Sequence, residues 1–262
     1  MLAQYEAFFP AEPGGAYFEP FVGSGAVFFH LQPRGLFERY SLSDANAELV
    51  NLYQVVRDQP DALLACLYDH AIRHTPEYYY AVRARDRNPG WADASPVERA
   101  ARMLYLNRTC YNGLWRVNGR GEFNVPLGRY RKPDIYRPEK ILAASRALQH
   151  ATITACPFDS VLECARPGDF VYFDPPYVPV SQTANFTNYS ADTFGEAEQR
   201  RLAEVFATLA ARGCRVMLSN SDTPLVHELY AGFRIERVLA RRAINSKAGR
   251  RGEVYEVVVL SE

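Results

Sequence analysis

Strand-like and helix-like patterns alternate at both ends of this chain and fail in the middle, and that interruption limits the folds open to it. Ala16 to Pro20 reads as a strand, Gly23 to Gly25 as a tight turn, and Ala26 to Leu31 as the opening of a helix. A second strand, Tyr40 to Ser43, ends in Asp44; Ala45 to Arg57 then carries Leu49, Val50, Leu52, Tyr53 and Val56 at helical spacing. Helix continues over Leu63 to Tyr68, but residues 73–137 turn rich in Arg, Tyr and Asn, with turn signals at Asn88-Pro89-Gly90 and Asn118-Gly119. Alternation resumes after Pro138. A helix reads over Glu139 to Gln149, strands over Ala151 to Cys156 and Val171 to Phe173, a helix over Glu196 to Arg212, a strand over Arg215 to Leu218, and a hairpin from Phe233 to Leu239 and Val254 to Leu260. The pattern predicts an α/β fold: a doubly wound sheet built from residues 1–57 and 139–262, interrupted by an inserted, mainly helical domain over 58–138.

At 262 residues there is room for such a domain plus an insertion. Acids and bases balance at 30 each, so only the local distribution of charge can point to an anionic partner. The five cysteines, Cys66, Cys110, Cys156, Cys164 and Cys214, are scattered and form no C-x-x-C pair, which argues against a disulfide framework and a zinc knuckle. We therefore expect no metal and a reducing cytoplasm. MLAQYEAFFP lacks a basic segment followed by an apolar run, and no stretch approaches the roughly 18 apolar residues of a membrane span, so neither export nor insertion is expected.

EPFVGSGAVFF carries the first site signal. As a dinucleotide fingerprint it fails at the third glycine, where Phe28 stands. Asp44 closes the second strand 19 residues after Gly25, near the roughly 20 expected of an acid that accepts hydrogen bonds from a ribose. The pair says adenosine cofactor. Val27-Phe28-Phe29 crowds the helix start with apolar bulk, which suits a cofactor without phosphate, such as S-adenosylmethionine, over NAD. An N-cap role for Asp44 is the competing reading.

The second signal is VYFDPPY. Pro175 and Pro176 cannot donate to a ladder and force the strand to stop, which leaves Asp174 at its carboxyl end, where open parallel sheets bind ligands. A carboxylate beside backbone carbonyls suits an amino group, whose two N–H donors need acceptors once water is excluded. Tyr177 offers an aromatic face for a planar base. Holding both hydrogens of an exocyclic amine favours a pyramidal nitrogen that can attack a sulfonium methyl. The competing reading is simple punctuation of the chain.

Together these segments resemble the Dam-type DNA adenine N6-methyltransferases of the D12 class, in the alpha arrangement. EPFVGSGAVFF resembles the cofactor motif, LSDANAELVNLYQVV the ribose-binding strand and helix, and YFDPPY the catalytic loop. YLNRTCYNGLWRVNGRGEFNVPLGRYRKP is similar to the DNA-reading hairpin, and SQTANFTNYS, SNSDTP and RRAINSKAGRRGEV resemble later segments. The resemblance implies an S-adenosylmethionine-dependent methyltransferase fold with a recognition domain that contains a β-hairpin. It implies Asp174, Pro175, Pro176 and Tyr177 around the target base, and Phe21, Gly23, Gly25, Asp44, Phe158, Asp159 and Asp174 around the cofactor.

For DNA, it implies Tyr111 as a wedge into the duplex, Asn112 and Asn118 as neighbouring contacts, and Leu114, Arg116 and Pro126 as readers of the later bases of GATC. Asn124 and Arg129 resemble phosphate-contacting or hairpin-shaping positions, and Arg83 faces phosphate on this reading. A duplex target must be flipped out to reach the pocket, and Arg116 can read guanine O6 and N7 with two hydrogen bonds. Arg120, Arg129, Arg131, Lys132 and Arg137 form one local basic cluster, and Arg241, Arg242, Lys247, Arg250 and Arg251 a second. Tyr78-Tyr79-Tyr80 reads as the core of the inserted helices. Double-stranded DNA is the implied partner, acted on by a monomer, with a cognate restriction endonuclease in the same system.

Relatives usually begin with a K-W-A-G-G-K-like segment that this sequence does not show, which leads to the expectation of a start displaced downstream or a cofactor pocket short of one wall. Two alternatives follow: a cytosine N4-methyltransferase, whose relatives more often carry Ser where Asp174 stands, and a catalytically impaired DNA-binding protein.

Overall fold

The computed structural model describes residues 2–12, 14–179, 194–240 and 254–261. The SQTANFTNYS segment and the basic run that includes Arg241, Arg242, Lys247, Arg250 and Arg251 lie outside the described residues. Seven strands form one sheet: β1 (Gly14–Glu19), β2 (Phe37–Asp44), β3 (Ala151–Ala155), β4 (Phe170–Phe173), β5 (Arg215–Ser221), β6 (Arg234–Ala240) and β7 (Val254–Leu260). Their order is β3-β2-β1-β4-β5-β7-β6. β1 pairs in parallel with β2 and β4, β4 in parallel with β5, and β7 runs antiparallel between β5 and β6. Strand order reverses at β1, whose two neighbours lead in opposite directions across the sheet, so the switch point at which open α/β sheets bind ligands falls at its carboxyl end.

By packing the chain divides into two compact units, one of residues 2–45, 156–179 and 194–261, the other of residues 46–155. The expected insertion over 58–138 is thus narrower than the second unit. That unit gathers α3 (Ala47–Asp58) and α7 (Pro138–Leu148) with α4 (Pro60–Arg73), α5 (Pro76–Arg83) and α6 (Pro96–Thr109). The reason lies in side-chain bonds: Arg99 of α6 pairs with Glu48 of α3, Asn51 donates to the Pro96 carbonyl, and Ser145 of α7 donates to the Arg57 carbonyl.

The first unit holds every strand but β3, together with α1 (Leu2–Tyr5), α2 (Ala26–Leu31), α8 (Val161–Cys164), α9 (Glu196–Ala211) and α10 (Pro224–Leu229). Strand alternation splits the core. Val171 and Phe173 of β4 join Ala16, Phe18, Val216 and Leu218 under Leu202, Phe206 and Leu209 of α9. Tyr172 faces the other way, as does Tyr17, whose ring meets those of Phe37, Tyr40 and Phe170 at 5.5–6.0 Å. Gly15 is required by close approach: a Cβ there would run into Asp169 Oδ1, which accepts from the Ala16 N–H at 2.6 Å. No helix among the described residues is long and apolar enough to cross a membrane.

Candidate active site and nucleic-acid interface

At the carboxyl edge of the sheet, four parallel neighbours each deliver an acid. Asp44 closes β2, Glu19 closes β1, Asp174 follows β4 and Asp222 follows β5. Asp174 is open to solvent at the strand's end, while protein crowds its carboxylate from beneath; that burial raises its pKa, and hydroxyls of Ser219 and Tyr177 offset part of the rise. Ser219 Oγ donates to Asp174 Oδ1 at 2.6 Å and lies 3.0 Å from the Tyr172 hydroxyl. Because a serine carries one hydrogen, donation to the carboxylate leaves its oxygen to accept from Tyr172, and the chain of bonds has a direction. Tyr5 is fully buried beside this group, its hydroxyl near Tyr177 and Ser219 at a geometry that completes no hydrogen bond.

The turn after Asp174 is held from below. Gln199 donates to the Pro176 carbonyl at 2.8 Å and accepts from Asn220, whose own Oδ1 receives the Val178 N–H at 3.0 Å. Pro175 is buried and Pro176 exposed. Ser219, Asn220 and Gln199 are all buried and polar, which costs stability unless each finds a partner, as here.

Glu19 is buried and accepts from the Tyr17 hydroxyl at 2.7 Å and the Phe28 N–H at 3.1 Å. Burial pushes its pKa up to about 8, with the charge of Asp174 adding to the rise. Asp222 behaves oppositely. Hydrogen bonds from His227 (2.7 Å) and Arg237 (2.7 Å) hold its carboxyl below the usual range.

The glycine turn has both Gly23 (φ 45°) and Gly25 (φ 65°) in the left-handed region, where L side chains are strained. Gly25 caps α2, and Asp44 Oδ2 accepts the Gly23 N–H at 3.2 Å. The N-cap reading of Asp44 is corrected: Asn46 caps α3, accepting from the N–H groups of Glu48 and Leu49. Phe21 stacks on Phe158 with ring centroids 5.3 Å apart, and Phe194 meets both edge-on. Asp159 is ion-paired with Arg201, whose guanidinium also lies over the Phe158 ring. A carboxylate beside a glycine turn, next to an aromatic cluster, is a donor set that fits an adenosine group.

In the second unit, residues 109–128 form a hairpin held by two isolated bridges, Cys110 with Leu127 and Val117 with Phe123, and by cross-chain backbone bonds such as Tyr111 N–H to Pro126 O at 2.8 Å. Side chains alternate. Trp115, Phe123 and Val125 are buried, whereas Tyr111, Asn112, Leu114, Arg116, Pro126 and Arg129 are exposed, with Tyr111 at 44 % and Leu114 at 40 %. Asn112 takes φ 55°, the left-handed conformation that Asn tolerates best after Gly, and so turns the chain beside Tyr111. Asn118 is committed to the turn: it accepts from the N–H groups of Arg120 and Glu122 and donates to the Glu122 carboxylate. Arg116 Nε donates to Asn124 Oδ1 at 2.7 Å.

Arg83 is not a bare surface charge. It donates to the Val125 carbonyl at 3.2 Å and lies over the Tyr80 ring. Tyr79 donates to the same carbonyl, Arg87 to Phe123 O, and Asp86 receives the Phe123 N–H at 2.8 Å. Behind them, buried Arg102 pairs with Asp86 at 2.7 Å. Of the tyrosine triplet, Tyr79 is fully buried and Tyr80 exposed. Of the basic cluster, Arg137 is ion-paired with Asp134, and Arg120, Arg129, Arg131 and Lys132 are exposed.

Sequence reasoning missed Ser219, Glu19, Gln199 and the Arg102–Asp86 pair. Glu19 was findable: Glu19-Pro20 repeats, at the end of the adjacent strand, the acid–proline junction of Asp174-Pro175. Ser219 opens the SNSDTP segment, but nothing in that segment says that it meets Asp174, and Gln199 carries no sign.

A sheet of this strand order, with acids along the carboxyl edge at its switch point, defines the class as a doubly wound α/β protein whose ligand site lies at that edge. The model of the D12 class N6 adenine-specific DNA methyltransferases matches residues 1–244, and the chain belongs to that family. It is 42 % identical over 245 residues to the type II methyltransferase M1.LlaDCHI of Lactococcus lactis subsp. cremoris, covering 93 % of this chain and 85 % of that protein. It is 41 % identical over 254 residues to the type II methyltransferase M.MjaIII of Methanocaldococcus jannaschii, covering 94 % and 88 %. To the DNA adenine methylase of Escherichia coli (strain K12) it is 39 % identical over 249 residues, covering 94 % and 86 %. DNA is the substrate class of the family, and S-adenosylmethionine the cofactor that a methyltransferase family implies.

Proposed function

We propose that this chain transfers a methyl group from S-adenosylmethionine to N6 of an adenine flipped out of duplex DNA, within GATC. The observation that carries the reading is the Asp174 carboxylate at the switch point, accessible from solvent yet fixed by Ser219. When bound, S-adenosylmethionine supplies the electrophilic methyl. Asp44 would accept from the ribose hydroxyls, Gly23 and Gly25 would let the backbone approach the methionine end, and Phe21, Phe158 and Asp159 would flank the adenosine.

Asp174 accepts an N–H of the target amine, with Ser219 holding one carboxylate oxygen so that the other faces the base. Pro175, Pro176 and Tyr177 shape the rest of the base pocket. Accepting hydrogens from the amine pyramidalises the nitrogen and frees its lone pair; the proton leaves after transfer. On the hairpin, Tyr111 wedges into the stack, Arg116 reads a guanine, Leu114 and Pro126 contact the adjacent pair, and Asn112, Asn118, Asn124, Arg129 and Arg83 lie along the backbone path. The scattered free cysteines support a cytoplasmic setting. The relatives named type II methyltransferases support a restriction–modification context with a cognate endonuclease, and a monomer suffices because one chain carries both regions.

Incorporation of labelled methyl into duplexes that differ only in one GATC tests the reading. Incorporation should vanish when the adenine is replaced by a base without an amino group, and Asp174→Ala should lower single-turnover transfer by on the order of 10²–10³-fold while sparing DNA binding. Wild-type turnover in that variant removes Asp174 from the chemistry; labelling that follows cytosine instead favours N4 methylation.

A further inference from the structure

The exposed reading side chain of the hairpin is already held before any DNA arrives. Arg116 and Asn124 face each other across the hairpin, joined by the backbone bond from Asn124 N–H to Arg116 O at 3.1 Å and by the side-chain bond from Arg116 Nε to Asn124 Oδ1 at 2.7 Å. An arginine has two edges with paired donors: the terminal pair of NH₂ groups and the side pair that includes Nε. A guanine offers two acceptors, O6 and N7, and takes either edge. An acceptor on Nε removes the side edge and leaves the terminal one.

We propose that Asn124 is a positioning residue for base reading, acting through Arg116 by occupying Nε and so presenting only the terminal fork to a guanine. The proposal rests on the reading of Arg116 given above and goes beyond it, since neither the backbone-path role of Asn124 nor the resemblance assigns it any part in discrimination. The geometry has a supporting frame. Phe123 and Val125, which flank Asn124, are buried, and their backbone groups are fixed by Tyr79, Arg83, Arg87 and Asp86. Asn124 therefore stands on an immobilised strand and sets the direction of a longer, exposed side chain. Without it the guanidinium samples both edges and many rotamers, and the wrong base pays less of a penalty.

A double-mutant cycle tests this. The readout is the ratio of kcat/KM for a GATC duplex to that for a duplex with the Arg116-contacted pair exchanged, measured for wild type, Asn124→Ala, Asn124→Asp, Arg116→Ala and Asn124→Ala/Arg116→Ala. Thermal unfolding of each checks the fold. Arg116→Ala should lower the ratio by roughly tenfold or more. Asn124→Ala should lower it several-fold alone and change it by less than about twofold once Arg116 is gone, because the two act as one unit. Asn124→Asp keeps an acceptor on Nε but loses the amide donor and adds a negative charge; it should retain the ratio even though overall DNA affinity falls. A phosphate-contact role gives the opposite pattern: Asn124→Ala weakens both duplexes equally, its loss persists without Arg116, and Asn124→Asp is worse than alanine. That pattern overturns the proposal while leaving the reading by Arg116 intact. An unchanged ratio in Arg116→Ala overturns both, and is distinguishable because it appears in the single variant.

Discussion

The sheet edge and the hairpin solve opposite problems. At the edge, the groups around Asp174 are buried and polar: Ser219, Tyr172, Gln199, Asn220 and Glu19 each spend hydrogen bonds inside the protein. On the hairpin the side chains proposed to meet DNA are in solvent, and what is buried is their support, Trp115, Phe123 and Val125 in front of the Arg102–Asp86 pair. Chemistry on an amine needs a carboxylate whose direction and charge are set by a low-dielectric surround. A surface that meets a duplex needs donors that water can leave easily, so its precision comes from behind.

Variants that attack each kind of support separately test this contrast. The largest effect belongs to the buried ion pair. Arg102→Met removes the buried one of the two cations on Asp86 and the donor to the Val82 and Arg83 carbonyls, at a cost of about 3–5 kcal/mol to the second unit less what Arg87 still supplies. Hydrogen exchange should rise across residues 109–128 and sequence discrimination should fall; exchange confined to α6 would break the idea that this pair holds the hairpin.

Ser219→Ala is next. Loss of a hydrogen bond to a charged group is worth about 1.5–3 kcal/mol, so transfer should slow by roughly 10- to 100-fold with DNA binding retained. Ser219 favours the ionised carboxylate, so its removal raises the Asp174 pKa further and moves the acid limb of the pH–rate profile to higher pH. A profile that stays in place would mean Ser219 does not set the charge of Asp174.

Glu19 gives the smallest effect at any single pH step and the cleanest sign. Its pKa lies near 8 in the folded protein against 4.5 in the free side chain, so between those values the folded state binds more protons and stability falls as pH rises. The slope approaches roughly 1 kcal/mol per pH unit. Glu19→Gln keeps an acceptor for Tyr17 and the Phe28 N–H and should flatten denaturant midpoints across that window; an unchanged slope would assign the pH dependence to another group.

Much of this was legible in the chain. Two prolines after Val171-Tyr172-Phe173 fix the end of β4 and put Asp174 there, and Asp44 ends β2, which starts at Phe37 rather than at Tyr40. Arg83 and Asn118 illustrate the limit, since nothing in an arginine at a helix end or an asparagine before a glycine announces that it also bonds the protein's own backbone.

The sequence by itself determined where β4 stops, the glycine turn and the break in strand–helix alternation, because proline, glycine and periodic apolar residues act through local sterics and solvent exclusion. Only the tertiary structure decided that Ser219 meets Asp174 from 45 residues away, that burial raises the pKa of Glu19, and that Asn46 rather than Asp44 caps α3. Those outcomes depend on which side chains the parallel sheet brings within hydrogen-bond reach, and neither distance nor dielectric is written in the order of residues.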